Sequence, residues 1–393
     1  MKKAYIIGTF DTKANELLFV KNCLQKVGVE CTTVDVSTVE HAGSADVNLL
    51  EVTAERQHIL AAERGEAIST MARVLTDFLH TCTDIAGVLG LGGSGGTALI
   101  TTAMQALSIG LPKIMVSTMA SGDVRAYVGV SDITMMNSIT DINGINSISY
   151  KVLSNAAHAL AGMLNNEVPA FESQKEALGI TMFGVTTPCV NQVVEIMKEE
   201  YDCMVFHATG VGGQSMEKLI DSGFIKHVID ATTTEICDHL MGGVLSAGED
   251  RMGAIIRNKL PYVGSVGALD MVNFGGWNTV PEKYKDRKLF KHNDQVTLMR
   301  TTVAENIRLG KWIADKLNQM TAPVRFLLPE KGVSVIDVEG QPFYDPEADA
   351  ALFETLEKEV QQDDFRKLIR LPYALNDAEF SKALVEAFRE INQ

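Results

Sequence analysis

Short apolar runs recur along this chain, each followed by a polar or glycine-rich turn and then by apolar residues at helical spacing. Residues 4–7 read as a first strand. Leu17, Leu18, Val20, Leu24 and Val27 then fall on one helical face, which Gly28 closes. Residues 30–36 are a second strand, 37–51 a polar loop, and 54–78 one long helical region. A buried strand at 85–89, a helix from Ala98 and a strand at 113–116 follow. A helix over 143–164 leads to a linker at 165–169, and the pattern restarts. Strands are predicted at 178–183, 203–206, 228–230, 262–264, 324–328 and 368–371. Helices are predicted at 190–199, 294–320 and 346–360, with a last one opened by a capping box of Asn376 and Glu379. Met135 and Met136 read as core.

Strand, helix, strand, helix in strict order predicts an α/β protein. The expected architecture is two Rossmann-like subdomains, 1–172 and 173–393, each a mostly parallel doubly wound sheet, with a cleft between them. Ligands of such sheets sit beyond the carboxyl ends of the strands. The turns at Gly8, Asp35, Gly92 and Ser117 all fall at that edge.

The stretch Leu91-Gly92-Gly93-Ser94-Gly95-Gly96-Thr97 joins a strand to a helix. Glycines let backbone amides approach a ligand, and the helix start adds partial positive charge, so the turn suits an anion such as phosphate. A tight packing turn reads equally well from the glycines alone. No Gly-Lys-Ser/Thr follows, so this is not a P-loop. Beyond the first strand lie Gly8, Thr9, Asp11, Thr12 and Lys13. Lys13 offers a cation to phosphates, and Asp11 either a helix cap or a magnesium ligand. Asp35 stands where dinucleotide folds place a ribose-binding acid, but the first turn lacks Gly-x-Gly-x-x-Gly.

In the second half, Gly210-Val211-Gly212-Gly213 echoes the earlier glycine turn. His207 ends a strand before it, as a candidate general acid/base or a hydrogen-bonded structural histidine. Asp230, Thr232, Thr233 and Glu235 form a polar group after another strand. With Asp238 and His239 they lack diagnostic metal spacing, so no metal site is assigned. Asp250 and Arg251 read as a surface pair.

Composition narrows the function classes. The chain has 393 residues, 46% of them hydrophobic, and a net charge of −15. That surface repels phosphate backbones, so no nucleic-acid or membrane partner is expected. The six cysteines show no Cys-x-x-Cys pairing, and no apolar run reaches membrane-spanning length, so a cytoplasmic location is expected.

Gly8-Thr9-x-Asp11-Thr12-Lys13, then Gly92-Gly93-Ser94-Gly95-Gly96-Thr97, then Ala208-Thr209-Gly210-x-Gly212-Gly213 together resemble one family. It is the ATP-binding domain family typified by the N-terminal inhibitory domain of a plant tobamovirus-resistance protein. The resemblance implies two Rossmann-like subdomains, ATP binding and a homodimer. It puts nucleotide contacts on Gly8, Thr9, Asp11, Thr12, Lys13, Gly92, Gly93, Ser94, Gly95, Gly96 and Thr97. Sheet-edge position adds Ser117 and Thr118. The expectation is ATP, with or without magnesium, on the first subdomain. A second site of His207, Asp230, Thr232, Thr233 and Glu235 would face it and act on an unknown small molecule. Phosphoryl transfer or ATP-dependent activation is the class if the protein is an enzyme. A non-catalytic ATP-binding module and an NAD(P)-dependent oxidoreductase are the alternatives.

Overall fold

Tyr5 and Ile7 point to one face of the first strand, β1 (Lys3–Gly8), and Ala4 and Ile6 to the other; all four are buried. A strand buried on both faces belongs to a sheet covered by helices on both sides, as parallel sheets require. The computed structural model describes residues 3–43, 45–166 and 175–392, and forms two units, Met1–Phe171 and Glu172–Gln393. Residues 167–169 of the expected linker and the expected 172/173 boundary lie outside the described residues.

In the first unit β1 is followed by α1 (Phe10–Lys26), β2 (Cys31–Asp35), β3 (Val47–Asn48), α2 (Leu49–Val52), α3 (Arg56–Ala61) and α4 (Arg64–Thr81). Then come β4 (Ile85–Gly92), α5 (Ser94–Ala106), β5 (Lys113–Ser117), α6 (Arg125–Val128), β6 (Thr134–Asn137) and α7 (Ser147–Asn165). The strands form one all-parallel sheet in the order β3-β2-β1-β4-β5-β6. One core lies between the sheet and α4 and α5, and the other between the sheet and α1 and α7. The helix expected over 54–78 is two helices, because Ala62 and Glu63 are extended. Ile59, Ala67 and Met71 bury on the same side, so their periodicity runs through the break unseen. The polar loop expected at 37–51 is shorter, since β3 and α2 occupy its end. The methionine pair lies half-buried on the edge strand β6.

The second unit starts with β7 (Ala177–Met182), α8 (Thr187–Met197), β8 (Asp202–His207), α9 (Val211–Asp221), β9 (His227–Thr232), α10 (Glu235–Met241) and α11 (Gly253–Asn258). It continues with β10 (Tyr262–Gly267), β11 (Met271–Phe274), β12 (Leu289–Lys291), β13 (Thr297–Arg300) and α12 (Val303–Gln319). The chain closes with β14 (Val324–Pro329), α13 (Pro346–Glu359), β15 (Arg366–Leu371) and α14 (Ala378–Ile391). Six of these strands form a second parallel sheet in the order β15-β14-β10-β9-β7-β8.

Two expectations for this unit are corrected. Residues 294–320 are not one helix: β13 precedes α12, and β11, β13 and β12 make a small antiparallel sheet. All of β11 and β13 is buried, so no alternation marked them as strands. The true helix start is the reciprocal cap of Thr302 and Glu305. Asn376 does not cap α14. Its Oδ1 accepts from the Cys189 amide at 3.1 Å and its Nδ2 donates to the Val185 carbonyl at 3.0 Å.

Candidate functional site

In the first sheet the chain runs outward from β1 through β2 to β3, then returns to build β4, β5 and β6 on the other side. The turns leaving β1 and β4 therefore diverge and leave a crevice at the carboxyl edge. A cavity of about 750 Å³ lies there. Thr9, Asp11, Thr12 and Lys13 line it from the β1 turn, and Gly93, Ser94, Gly95 and Gly96 from the β4 turn. Thr118 and Asp141 complete its polar lining. Its apolar wall includes Val36, Val39, Ile59, Leu60 and Leu99.

The helices that follow the β1 and β4 turns, α1 and α5, both start at this cavity, and they differ in what their first amides do. In α1 the Phe10 amide donates to Asp35 Oδ1 at 3.1 Å and the Asp11 amide to Ser37 Oγ at 3.2 Å. The Thr12 and Lys13 amides turn back onto the Thr9 carbonyl at 3.3 and 2.9 Å. That helix start is satisfied by its own protein. In α5 the helical ladder begins with the Thr97 amide on the Gly93 carbonyl at 2.8 Å, and no side chain caps the start. The Ser94, Gly95 and Gly96 amides are thus left pointing out of the helix end.

The remaining expected contacts lie one layer below. A Cβ on Gly8 would meet Leu17 at 2.8 Å, and one on Gly92 would meet the Thr97 nitrogen at 2.6 Å. Both glycines are there for helix-on-strand packing. Thr97 and Ser117 are fully buried, their hydroxyl oxygens 2.6 Å apart, which ties the start of α5 to the end of β5. These four do not line the cavity; they hold the residues that do.

Charge at the cavity is mixed. Lys13 is half-buried at a kink in α1, where its φ of −132° leaves the helical region. Arg64, in the first turn of α4, also lines the wall, and neither cation has an ion-pair partner among the described residues. Arg64 escaped the sequence reading because the helix break before it was invisible. Asp35 is not a ribose ligand. It is fully buried and its carboxylate is taken up by the Phe10 amide, the Ser37 amide and hydroxyl, and His41 Nε2 at 2.7 Å.

The residues expected to form a second site are differently placed. Asp230 and Glu235 are fully buried and belong to an ionic cluster around Arg251. Arg251 reaches Asp230 at 2.7 Å, Glu235 at 2.9 Å and Glu217 at 3.3 Å. Asp230 further accepts from Thr181 Oγ1 at 2.6 Å and the Tyr262 hydroxyl at 2.9 Å. Thr232 and Thr233 are buried as well. Burial works against the Arg251 charge, but Asp230, Glu235 and Glu217 outweigh it and hold the guanidinium well above its ordinary range. Burial likewise pushes Glu217 and Glu235 up, with Arg251 opposing. Arg251 is therefore no surface residue, and Asp250 pairs with Arg257 instead, at 2.8 Å. His207 is exposed at the end of edge strand β8, its ring against Phe183.

Glu235 has a further role. Its Oε1 accepts from the Gly210 amide at 2.7 Å and the Gly213 amide at 3.0 Å, at the start of α9. A Cβ on Gly213 would fall 2.2 Å from Glu235 Oε2. The second glycine turn thus does bind an anion, and the anion is part of the chain. Among the described residues no group of three or more His, Cys, Asp or Glu is arranged to hold a metal ion, and no helix is long and apolar enough to cross a membrane.

Comparison with known proteins follows both units. The N-terminal domain profile of an uncharacterised protein family, UPF0261, matches residues 2–169, and its C-terminal domain profile residues 175–392. A UPF0261 protein of Rhizobium meliloti (strain 1021) is 52% identical over 397 residues, covering 100% of this chain and 99% of its own. One from Clostridium tetani is 46% identical, covering 98% of each chain. The ToMV resistance protein Tm-1(GCR237) of Solanum lycopersicum is 44% identical over 423 residues, covering 99% of this chain but 56% of the tomato protein.

Proposed function

This chain belongs to the uncharacterised protein family UPF0261, and we propose that it binds ATP in the crevice of its first unit. The observation that carries this reading is the start of α5, where the Ser94, Gly95 and Gly96 amides face a 750 Å³ cavity without a capping side chain. Such a helix start is an anion site. Lys13 and Arg64 supply charge to a polyphosphate, and Thr9, Thr12 and Thr118 supply hydroxyls. The apolar wall of Val36, Val39, Ile59, Leu60 and Leu99 suits a flat base. Magnesium accompanying the nucleotide would ride on phosphate oxygens and water, as this ion usually does. The occupied turn at Gly210 and Gly213 supports the reading, since the same turn chemistry there holds a carboxylate.

The consumed carboxylate of Asp35 speaks against a nicotinamide dinucleotide. The buried cluster around Arg251 speaks against small-molecule chemistry on Asp230 and Glu235. The homodimer implied by the family resemblance is part of this proposal and is checked by sedimentation with and without ATP. The direct test is calorimetry and thermal shift with ATP and adenosine. ATP should bind and raise the melting temperature while adenosine does neither. Lys13→Met should weaken ATP roughly 10- to 100-fold, the worth of one charged hydrogen bond. Equal affinity for ATP and adenosine would overturn the proposal.

A further inference from the structure

Asp11 and Asp141 are the carboxylates in the wall of a cavity that also carries Lys13, Arg64 and the start of α5, and Asp11 is exposed there. Behind it runs a chain of hydrogen bonds into the protein. Ser37 Oγ lies 3.2 Å from Asp11 Oδ1 and donates to Asp35 Oδ1 at 2.5 Å. Asp35 Oδ2 is 2.7 Å from His41 Nε2. The Gly43 amide donates to His41 Nδ1 at 2.9 Å, so the ring proton sits on Nε2 and points at Asp35. These donors converge on the Asp35 carboxylate, which is also fixed by the Phe10 and Ser37 amides.

The serine has one proton and two carboxylate neighbours. At 2.5 Å that proton goes to Asp35, while Ser37 Oγ accepts from the Asp11 amide at 3.2 Å and Thr12 Oγ1 donates to Asp11 Oδ1 at 3.3 Å. Thr12 and Ser37 thus hold Asp11 by its Oδ1 and its amide, and its Oδ2 has no hydrogen bond among the described residues, so the geometry suits Asp11 to act on a molecule in the cavity beside the glycine turn.

We propose that Asp11 is the general base for hydrolysis of a nucleoside triphosphate bound in this cavity. Ser37, Asp35 and His41 are positioning residues that aim it. The inference rests on the reading that the phosphates lie against the start of α5. In the step, a water oxygen forms a bond to the γ-phosphorus as the bond from that phosphorus to the β–γ bridging oxygen breaks. The bridging electron pair leaves with the nucleoside diphosphate. The water proton passes to the Asp11 carboxylate and then to solvent, so that ATP and water give ADP, inorganic phosphate and a proton. A positioned base contributes typically 10²- to 10⁴-fold to such a step.

The experiment measures ATP affinity by calorimetry and phosphate release in single turnover, on the full chain and its Asp11→Asn and Ser37→Ala variants. Asp11→Asn should bind ATP within about 3-fold of the parent and release phosphate at least about 100-fold more slowly. Ser37→Ala should slow the single-turnover rate constant for phosphate release while the ATP-binding stoichiometry stays that of the parent, whereas loss of folded protein would lower the stoichiometry and leave the rate constant unchanged. ADP with aluminium fluoride, which mimics the transferring phosphoryl group, should stabilise the parent more than ADP alone, and Asp11→Asn should lose that excess. Parent protein that binds ATP without releasing phosphate, or Asp11→Asn turning over at the parental rate, overturns the proposal. Absence of ATP binding overturns instead the nucleotide reading beneath it.

Discussion

The Gly213 amide donates to the Glu235 carboxylate at 3.0 Å, so the second glycine turn carries an anion built into the chain. In the first unit the matching turn ends in amides that no side chain among the described residues caps. The two halves thus share a turn and divide over what fills it. In one, Arg251 clamps the carboxylate from behind at 2.9 Å. In the other, a cavity opens with two cations on its wall that have no ion-pair partner among the described residues.

That difference predicts the effect of Gly93→Asp. Gly93 is the N-cap of α5, with ordinary φ of −77°, and a Cβ there has only Thr118 Oγ1 near it, at 3.9 Å. Aspartate would fit and turn its carboxylate onto the free amides, as Glu235 does in the second unit. The variant should be as stable as the parent or more so, by about a few tenths of a kcal/mol. It should also lose the ATP-induced rise in melting temperature. Gly95→Asp tests the same idea less cleanly, since its Cβ would meet Ile68 at 3.0 Å. His207→Asn, in the second unit and exposed, should leave the ATP response unchanged in the same thermal-shift assay.

Arg251→Met should be among the most damaging single changes in the chain. It leaves Asp230, Glu235 and Glu217 buried without their counter-charge, at a cost of about 3–5 kcal/mol. Glu217 and Glu235 already have folded pKa values above their ordinary range, through burial. Groups raised in the folded state contribute stability at low pH that is lost as pH rises through the folded pKa. The defect should therefore be smaller at pH 5.5 than at pH 8, as measured by denaturant unfolding. An equal defect at both would show that charge burial is not its cause.

The unsubstituted protein should show a pH dependence of the same sign. Burial pushes Asp238 up to about 7, against hydrogen bonds from the Asn273 and Leu245 amides, and pushes Asp270 up to about 7 as well. Between the ordinary aspartate value and 7 the folded form holds these protons and the unfolded form does not. Stability should rise as pH falls from 7.5 to 5.5, by up to about 1.4 kcal/mol per pH unit for each group. Asp238→Asn should flatten this dependence while keeping one acceptor for the amides. Urea titrations across the window check both statements.

Much of the fold could be read from apolar periodicity. Ala4, Tyr5, Ile6 and Ile7 form a buried run bounded by turns, as any strand covered on both faces does. Where burial is complete but the strand is short, the run has no signature of its own: β11 fell among loop residues, and β13 merged with the helix after it. The Thr302-x-x-Glu305 cap was in the sequence and separates β13 from α12. Of the expected nucleotide contacts, Thr9, Asp11, Thr12, Lys13, Gly93, Ser94, Gly95, Gly96 and Thr118 do line one cavity. A helix start after glycines is a local property, and the order of strands puts it beside the turn from β1.

What the sequence determined alone is the alternation of strands and helices, the two halves and the turns at their carboxyl edges, because backbone propensity and burial are written in local pattern. Tertiary structure decided which polar residues face outward and which are spent inside. Asp35 and Glu235 look like ligands in sequence and are instead caps for the amides of Phe10, Gly210 and Gly213. Arg251 looks like a surface charge and is the centre of a buried cluster. A charged side chain's role depends on partners that are distant in sequence, and only folding brings those partners within hydrogen-bond range. The same holds for the turn at Gly93: its amides became a candidate site because no carboxylate among the described residues caps them.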